Sequence, residues 1–135
     1  MTTAGYSGTP LPSKLGIKPG MRVAWPGAPE HFAALLGDLS SVIVLTRPGA
    51  SMDVVVLFAT RRGVLERRLP ALVEAIRPAG ATWVAWPKRS SSVATDITED
   101  VVRDVALPIG LVDTKVCAID ETWSGLKLVI RKELR

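Results

Sequence analysis

A single cysteine, Cys117, and a single histidine, His31, set the first limits on this 135-residue chain. One thiol cannot close an intramolecular disulfide, and one thiol with one imidazole cannot build a cysteine–histidine zinc site. No metal is expected. Asn and Gln are absent altogether, a bias that a heat-adapted source and a skewed gene composition explain equally well, so it carries no functional weight. Long apolar runs are missing too. The longest strongly apolar stretch, Val54–Ala59, is far too short to cross a bilayer. Met1–Tyr6 holds neither a basic nor an apolar segment of the kind a secretory leader needs. These absences predict a soluble, cytoplasmic protein with no membrane partner.

Strong charge is lacking as well: 17 Lys and Arg stand against 13 Asp and Glu, a formal net charge of +4. That excess implies nucleic-acid binding only where it is clustered. The few aromatics are not interleaved with the basic residues as a base-stacking platform requires, so nucleic acid is the weakest partner class.

An apolar content of 47% is enough to fill one core. Residues 1–14 read as an extended arm rich in Gly, Ser, Thr and Pro, with one helical turn near Ser13–Gly16, and residues 15–135 as one domain. Four apolar runs, Met21–Trp25, Val42–Leu45, Val54–Ala59 and Ala81–Trp86, read as parallel strands that each break into a short turn. The second and third lack alternation, the mark of strands buried on both faces. A helix is predicted from Pro29, with Phe32, Leu35 and Leu36 on its apolar face and Gly37 at its end. Arg61–Arg77 is helical in spacing but interrupted by Pro70, which predicts a kink or two short helices. Asp96 and Glu99 form a capping box for a helix to about Leu107. Val112–Ile119 and Leu126–Ile130, joined by Asp120–Gly125, predict an antiparallel hairpin. The step at Pro48–Asp53 is too short for a crossover helix. The second and third strands should therefore flank the first, with the switch point beside Pro26–Pro29.

Lys18-Pro19-Gly20-Met21-Arg22-Val23 leads into the first strand, and Ile76-Arg77-Pro78-Ala79-Gly80-Ala81 into the fourth. With the terminal hairpin, this pattern resembles a shortened Rossmann-like methyltransferase domain. The fold class implied is α/β, with a mostly parallel sheet flanked by helices and a C-terminal antiparallel hairpin. A second likeness rests on Gly5-Tyr6-Ser7-Gly8-Thr9-Pro10, Leu15-Gly16-Ile17-Lys18-Pro19-Gly20, Val84-Ala85-Trp86-Pro87-Lys88 and Asp120-Glu121-Thr122-Trp123-Ser124-Gly125. These segments resemble a family of short bacterial proteins of unknown function, which implies no catalytic residue. Methyltransferases hold S-adenosylmethionine with glycines and an acidic residue after the first strand, and with a second acidic residue, the ribose acceptor, after the second. Here those places read Ala24-Trp25-Pro26-Gly27-Ala28-Pro29 and Thr46-Arg47. No cofactor is expected, and S-adenosylmethionine should bind poorly.

In an open α/β sheet, ligands sit outside the carboxyl ends of the strands. Parallel strands would bring Arg47, Arg61, Arg62, Lys88 and Arg89 to that edge, with Gly27 in the first turn and Glu121 and Trp123 on the hairpin. Guanidinium forks match phosphate and carboxylate geometry. The leading expectation is a non-catalytic module binding an anionic small molecule or an acidic protein segment. The alternative is a divergent methyltransferase-like or other transferase acting on a phosphorylated substrate. His31 reads as a surface helix residue before a general base, Asp120 as part of a polar hairpin, and Cys117 as an inert buried thiol. The Gly5–Pro10 arm packs on the surface or covers the site as a lid, with Tyr6 and Thr9 inward.

Overall fold

The uninterrupted apolar runs form the middle of a six-stranded sheet. The computed structural model describes residues 9–135. Its strands are β1 (Arg22–Ala24), β2 (Ile43–Val44), β3 (Val54–Phe58), β4 (Ala81–Pro87), β5 (Leu111–Ala118) and β6 (Trp123–Ile130), in the order β2-β1-β3-β4-β6-β5. β1 runs parallel to β2 and β3, and β3 parallel to β4, while β6 is antiparallel to both β4 and β5. This is the Rossmann-like α/β architecture predicted from the strand pattern, closed by its antiparallel pair.

Every residue of β3 and β4 is buried, because helices cover both faces. α3 (Arg62–Ala75) and α4 (Glu99–Ala106) lie on one side, α1 (Leu11–Leu15) and α2 (Phe32–Leu36) on the other. The pleat sends alternate side chains to opposite cores. Val55, Leu57, Val84 and Trp86 pack with Leu65, Leu69 and Val102. Val54, Val56, Phe58 and Trp83 pack with Leu15 and Phe32.

The structure corrects the sequence reading in five places. Val42–Leu45 is not an inner strand. Its two paired residues form an edge, with Ile43 50% and Val44 44% exposed, since the short connector that follows carries no helix to cover them. That connector crosses β1 and is latched there, where Arg22 Nη2 donates to the Ala50 carbonyl (3.2 Å) and Asp53 Oδ2 accepts from the Arg22 N–H (2.9 Å). It delivers β3 to the far side of β1, as predicted. Second, α1 begins at Leu11, and Leu11 and Leu15 are both buried, so residues 11–14 belong to the packed domain rather than an arm. Tyr6 lies outside the described residues. Third, α2 starts at Phe32, because Pro29–His31 forms a turn in which the Phe32 N–H donates to the Pro29 carbonyl (3.0 Å).

Fourth, α3 continues through Pro70 as one helix of 14 residues. Pro70 is exposed, and its ring nitrogen cannot donate to the Glu66 carbonyl one turn back. Fifth, Thr98 rather than Asp96 caps α4, its Oγ1 accepting from the Val101 N–H (3.2 Å). Asp96 instead accepts from the Arg62 N–H (2.7 Å) at the start of α3, and Glu99 pairs with Arg103. Among the described residues no helix is long and apolar enough to cross a membrane.

Candidate functional site

The carboxyl edge of the sheet is organised by one carboxylate. Asp120 opens the β5–β6 turn, and its Oδ1 accepts from the N–H groups of Thr122 and Trp123 (both 2.8 Å). Its Oδ2 lies 2.8 Å from Nε2 of His31, at the start of α2. The Asp120 side chain is 12% exposed and that of His31 55%. An Nε2–H donated to the carboxylate leaves Nδ1 as the acceptor nitrogen of the neutral ring, the arrangement by which a carboxylate orients an imidazole base. The two residues stand 89 positions apart in the chain, and no local motif announces the pair. The available signal was that the predicted switch point and the predicted hairpin share one sheet edge.

Aromatic rings fill the space beneath this pair. Trp25, Phe32, Phe58 and Trp123 meet edge to face in a chain, with centroid separations of 5.5, 4.9 and 5.0 Å. Trp123 therefore packs into that chain through Phe58. Gly27 adopts φ +77, and a Cβ there would stand 2.6 Å from the Phe58 carbonyl oxygen. The Pro26 carbonyl accepts from the Phe58 N–H (3.0 Å), which seats the turn on the end of β3. The glycine thus admits the protein's own backbone.

Of the five basic residues, Lys88 and Arg89 line one cavity, Arg47 lines another, and Arg61 and Arg62 line neither. A cavity of about 510 Å³ at the end of β4 is lined by Lys88, Arg89, Thr95, Thr98 and Glu99 over Trp86 and Ile97. Its loop is fastened to the segment between β3 and α3, because Thr95 Oγ1 donates to the Thr60 carbonyl (2.7 Å). Arg47 instead lines a groove of about 340 Å³ beside α3, joined there by Arg67 and Arg68, which the sequence reading did not single out. Arg62 is engaged by Glu66 (3.1 Å) and Asp104 (3.9 Å). Arg61 is exposed at the N-terminus of α3, and Glu121 is exposed in the β5–β6 turn. α2, only five residues long and preceded by a turn, begins at Phe32 rather than at Pro29. Cys117 is partly buried, and burial pushes its thiol up, against the opposing pull of Lys14 and Lys115.

No family model and no curated protein sequence matches the chain. Solved structures share its fold. A protein from Sulfolobus solfataricus described as a type 11 methyltransferase superposes with TM-score 0.63 at 12% identity, over 90% of both chains. A SAM-dependent methyltransferase from Aquifex aeolicus gives TM-score 0.63 at 15% identity, over 87% of this chain and 86% of the other. An O-methyltransferase of neocarzinostatin biosynthesis, crystallised with S-adenosylmethionine, gives 0.62 at 15% identity over 94% of this chain and 51% of its own. At these identities the shared feature is the fold. The neighbours overturn the leading expectation of a non-catalytic binding module and favour the methyltransferase-like alternative.

Proposed function

We propose that the chain is a divergent transferase on the methyltransferase fold, acting on a phosphorylated substrate at the carboxyl edge of its sheet. The observation that carries this reading is the strand order with its terminal antiparallel pair, matched over nine-tenths of both chains in a methyltransferase-class structure. The His31–Asp120 pair supports it by offering, at that edge, an oriented acceptor for the proton that a nucleophile loses as it takes up the transferred group. The cations Lys88 and Arg89 beside the larger cavity support a phosphorylated substrate. Within this fold, we place the chain with the short bacterial family that Val84–Lys88 and Asp120–Gly125 resemble.

S-adenosylmethionine, which the fold implies, does not fit the residues present in its usual pose. The turn after β1, Trp25–Pro29, holds a single glycine, packed against the Phe58 carbonyl, and no acidic residue. After β2, Arg47 can donate but not accept, so the ribose hydroxyls find no carboxylate there. We therefore assign the transferase no S-adenosylmethionine chemistry.

The test is conversion. Phosphorylated metabolites would be incubated with the protein in mixtures containing group donors and followed by mass spectrometry. A product is expected whose rate falls at least about a hundredfold in His31→Gln. Equal behaviour of wild type and His31→Gln across all mixtures would refute the assignment of His31, and no conversion by either would refute the transferase reading.

A further inference from the structure

The groove beside α3 has a chemistry of its own. Its apolar floor includes Pro26, Leu57 and Leu72, and its rim carries Arg47 from the β2–β3 connector and Arg67 and Arg68 from the helix. All three arginines are exposed. The two acids of α3 are already engaged, Glu66 by Arg62 and Glu74 by Arg77. Among the described residues no carboxylate pairs with Arg47, Arg67 or Arg68. Three cations thus face an apolar slot without neutralisation. Its volume of about 340 Å³ lies at the small end of the roughly 300–1,000 Å³ range of small-molecule sites, which suits one mononucleotide.

Position narrows the ligand. In nucleotide-binding α/β sheets the residue after the second strand faces the ribose. An acidic side chain there accepts from a free hydroxyl, whereas an arginine accommodates a phosphate on the sugar. Arg47 follows β2 by three residues, on the connector that carries the chain past β1 to β3. We infer that this groove binds a nucleotide carrying a phosphate on its ribose ring, at the 2′ or 3′ position, with the nucleoside on the apolar floor and the phosphate among Arg47, Arg67 and Arg68. The inference rests on the transferase reading for its purpose and deepens it by naming the class of nucleotide. Its readout is binding, so failure to bind and failure to turn over are separate results.

The test compares 2′-AMP, 3′-AMP, 5′-AMP, adenosine and inorganic phosphate by calorimetry and thermal shift, on wild type, Arg47→Ser, Arg68→Ser and, as a control outside the groove, Lys132→Ser. The 2′ or 3′ isomer should bind at least about tenfold more tightly than adenosine or 5′-AMP, since each charge-assisted contact is worth about a factor of ten or more. That preference should fall by about tenfold in Arg47→Ser and Arg68→Ser and persist in Lys132→Ser. All three arginines are exposed, so the variants should keep the wild-type circular dichroism, which confirms that a loss of binding is local. Equal binding of all AMP isomers, the same response to inorganic phosphate alone, no response to any probe, or binding that survives both arginine substitutions would each overturn the inference.

Discussion

Both oxygens of Asp120 are engaged locally: two backbone N–H groups on one and the His31 ring on the other. Asp120→Ala would strip the turn of these bonds and leave the N–H groups of Thr122 and Trp123 without their acceptor. We expect a loss of about 2–4 kcal/mol in denaturant unfolding. His31→Ala removes a mostly exposed partner and should cost less than about 1 kcal/mol. Equal losses would mean that the pair is a structural clasp rather than a carboxylate holding a working imidazole. Gly27→Ala combines a left-handed backbone with a crowded Cβ, and should destabilise by about 1–3 kcal/mol in the same measurement. The raised Cys117 thiol keeps its proton to higher pH in the folded state than in the unfolded chain. Its contribution to stability is therefore complete below the unfolded thiol pKa and is lost as pH rises through the folded value. Alkylation near pH 8 should be slower in the native protein than in urea-unfolded protein, and equal rates would contradict that placement.

The elements most legible in the sequence were those whose pattern and environment agree. Val54–Phe58 and Ala81–Pro87 are uninterrupted apolar runs, and both are buried throughout. Val42–Leu45 has the same composition but lies at an edge, because burial depends on which neighbours the topology provides, and composition does not report that. The cap of α4 was misplaced for a related reason. Asp96 has a capping residue's chemistry, but a tertiary contact to the start of α3 claims it, and Thr98, two residues on, takes the role. Thr98→Ala should cost about 1 kcal/mol by thermal or denaturant unfolding. Pro70 stands exposed inside α3. Pro70→Ala restores an N–H for the Glu66 carbonyl and should stabilise the fold by about 1–2 kcal/mol despite the freer unfolded chain. A neutral or lower melting temperature would show that the ring's packing outweighs the missing bond.

Across the whole molecule, the short step from β2 to β3 determines the architecture. It carries no helix, sets β2 and β3 on opposite sides of β1, and leaves a groove open along α3. That much of the topology followed from counting residues between strands. The site was less legible, because which cations share a cavity depends on helix placement. Arg47 joins Arg67 and Arg68 rather than Lys88 and Arg89, and the His31–Asp120 pair depends on a contact between distant segments. The proposal places a guanidinium, that of Arg47, where methyltransferases of this fold hold the cofactor's ribose with a carboxylate. Calorimetric titration of the wild-type protein with S-adenosylhomocysteine tests it most directly. No saturable binding is expected up to about millimolar ligand, and saturation in the micromolar range would contradict the proposal.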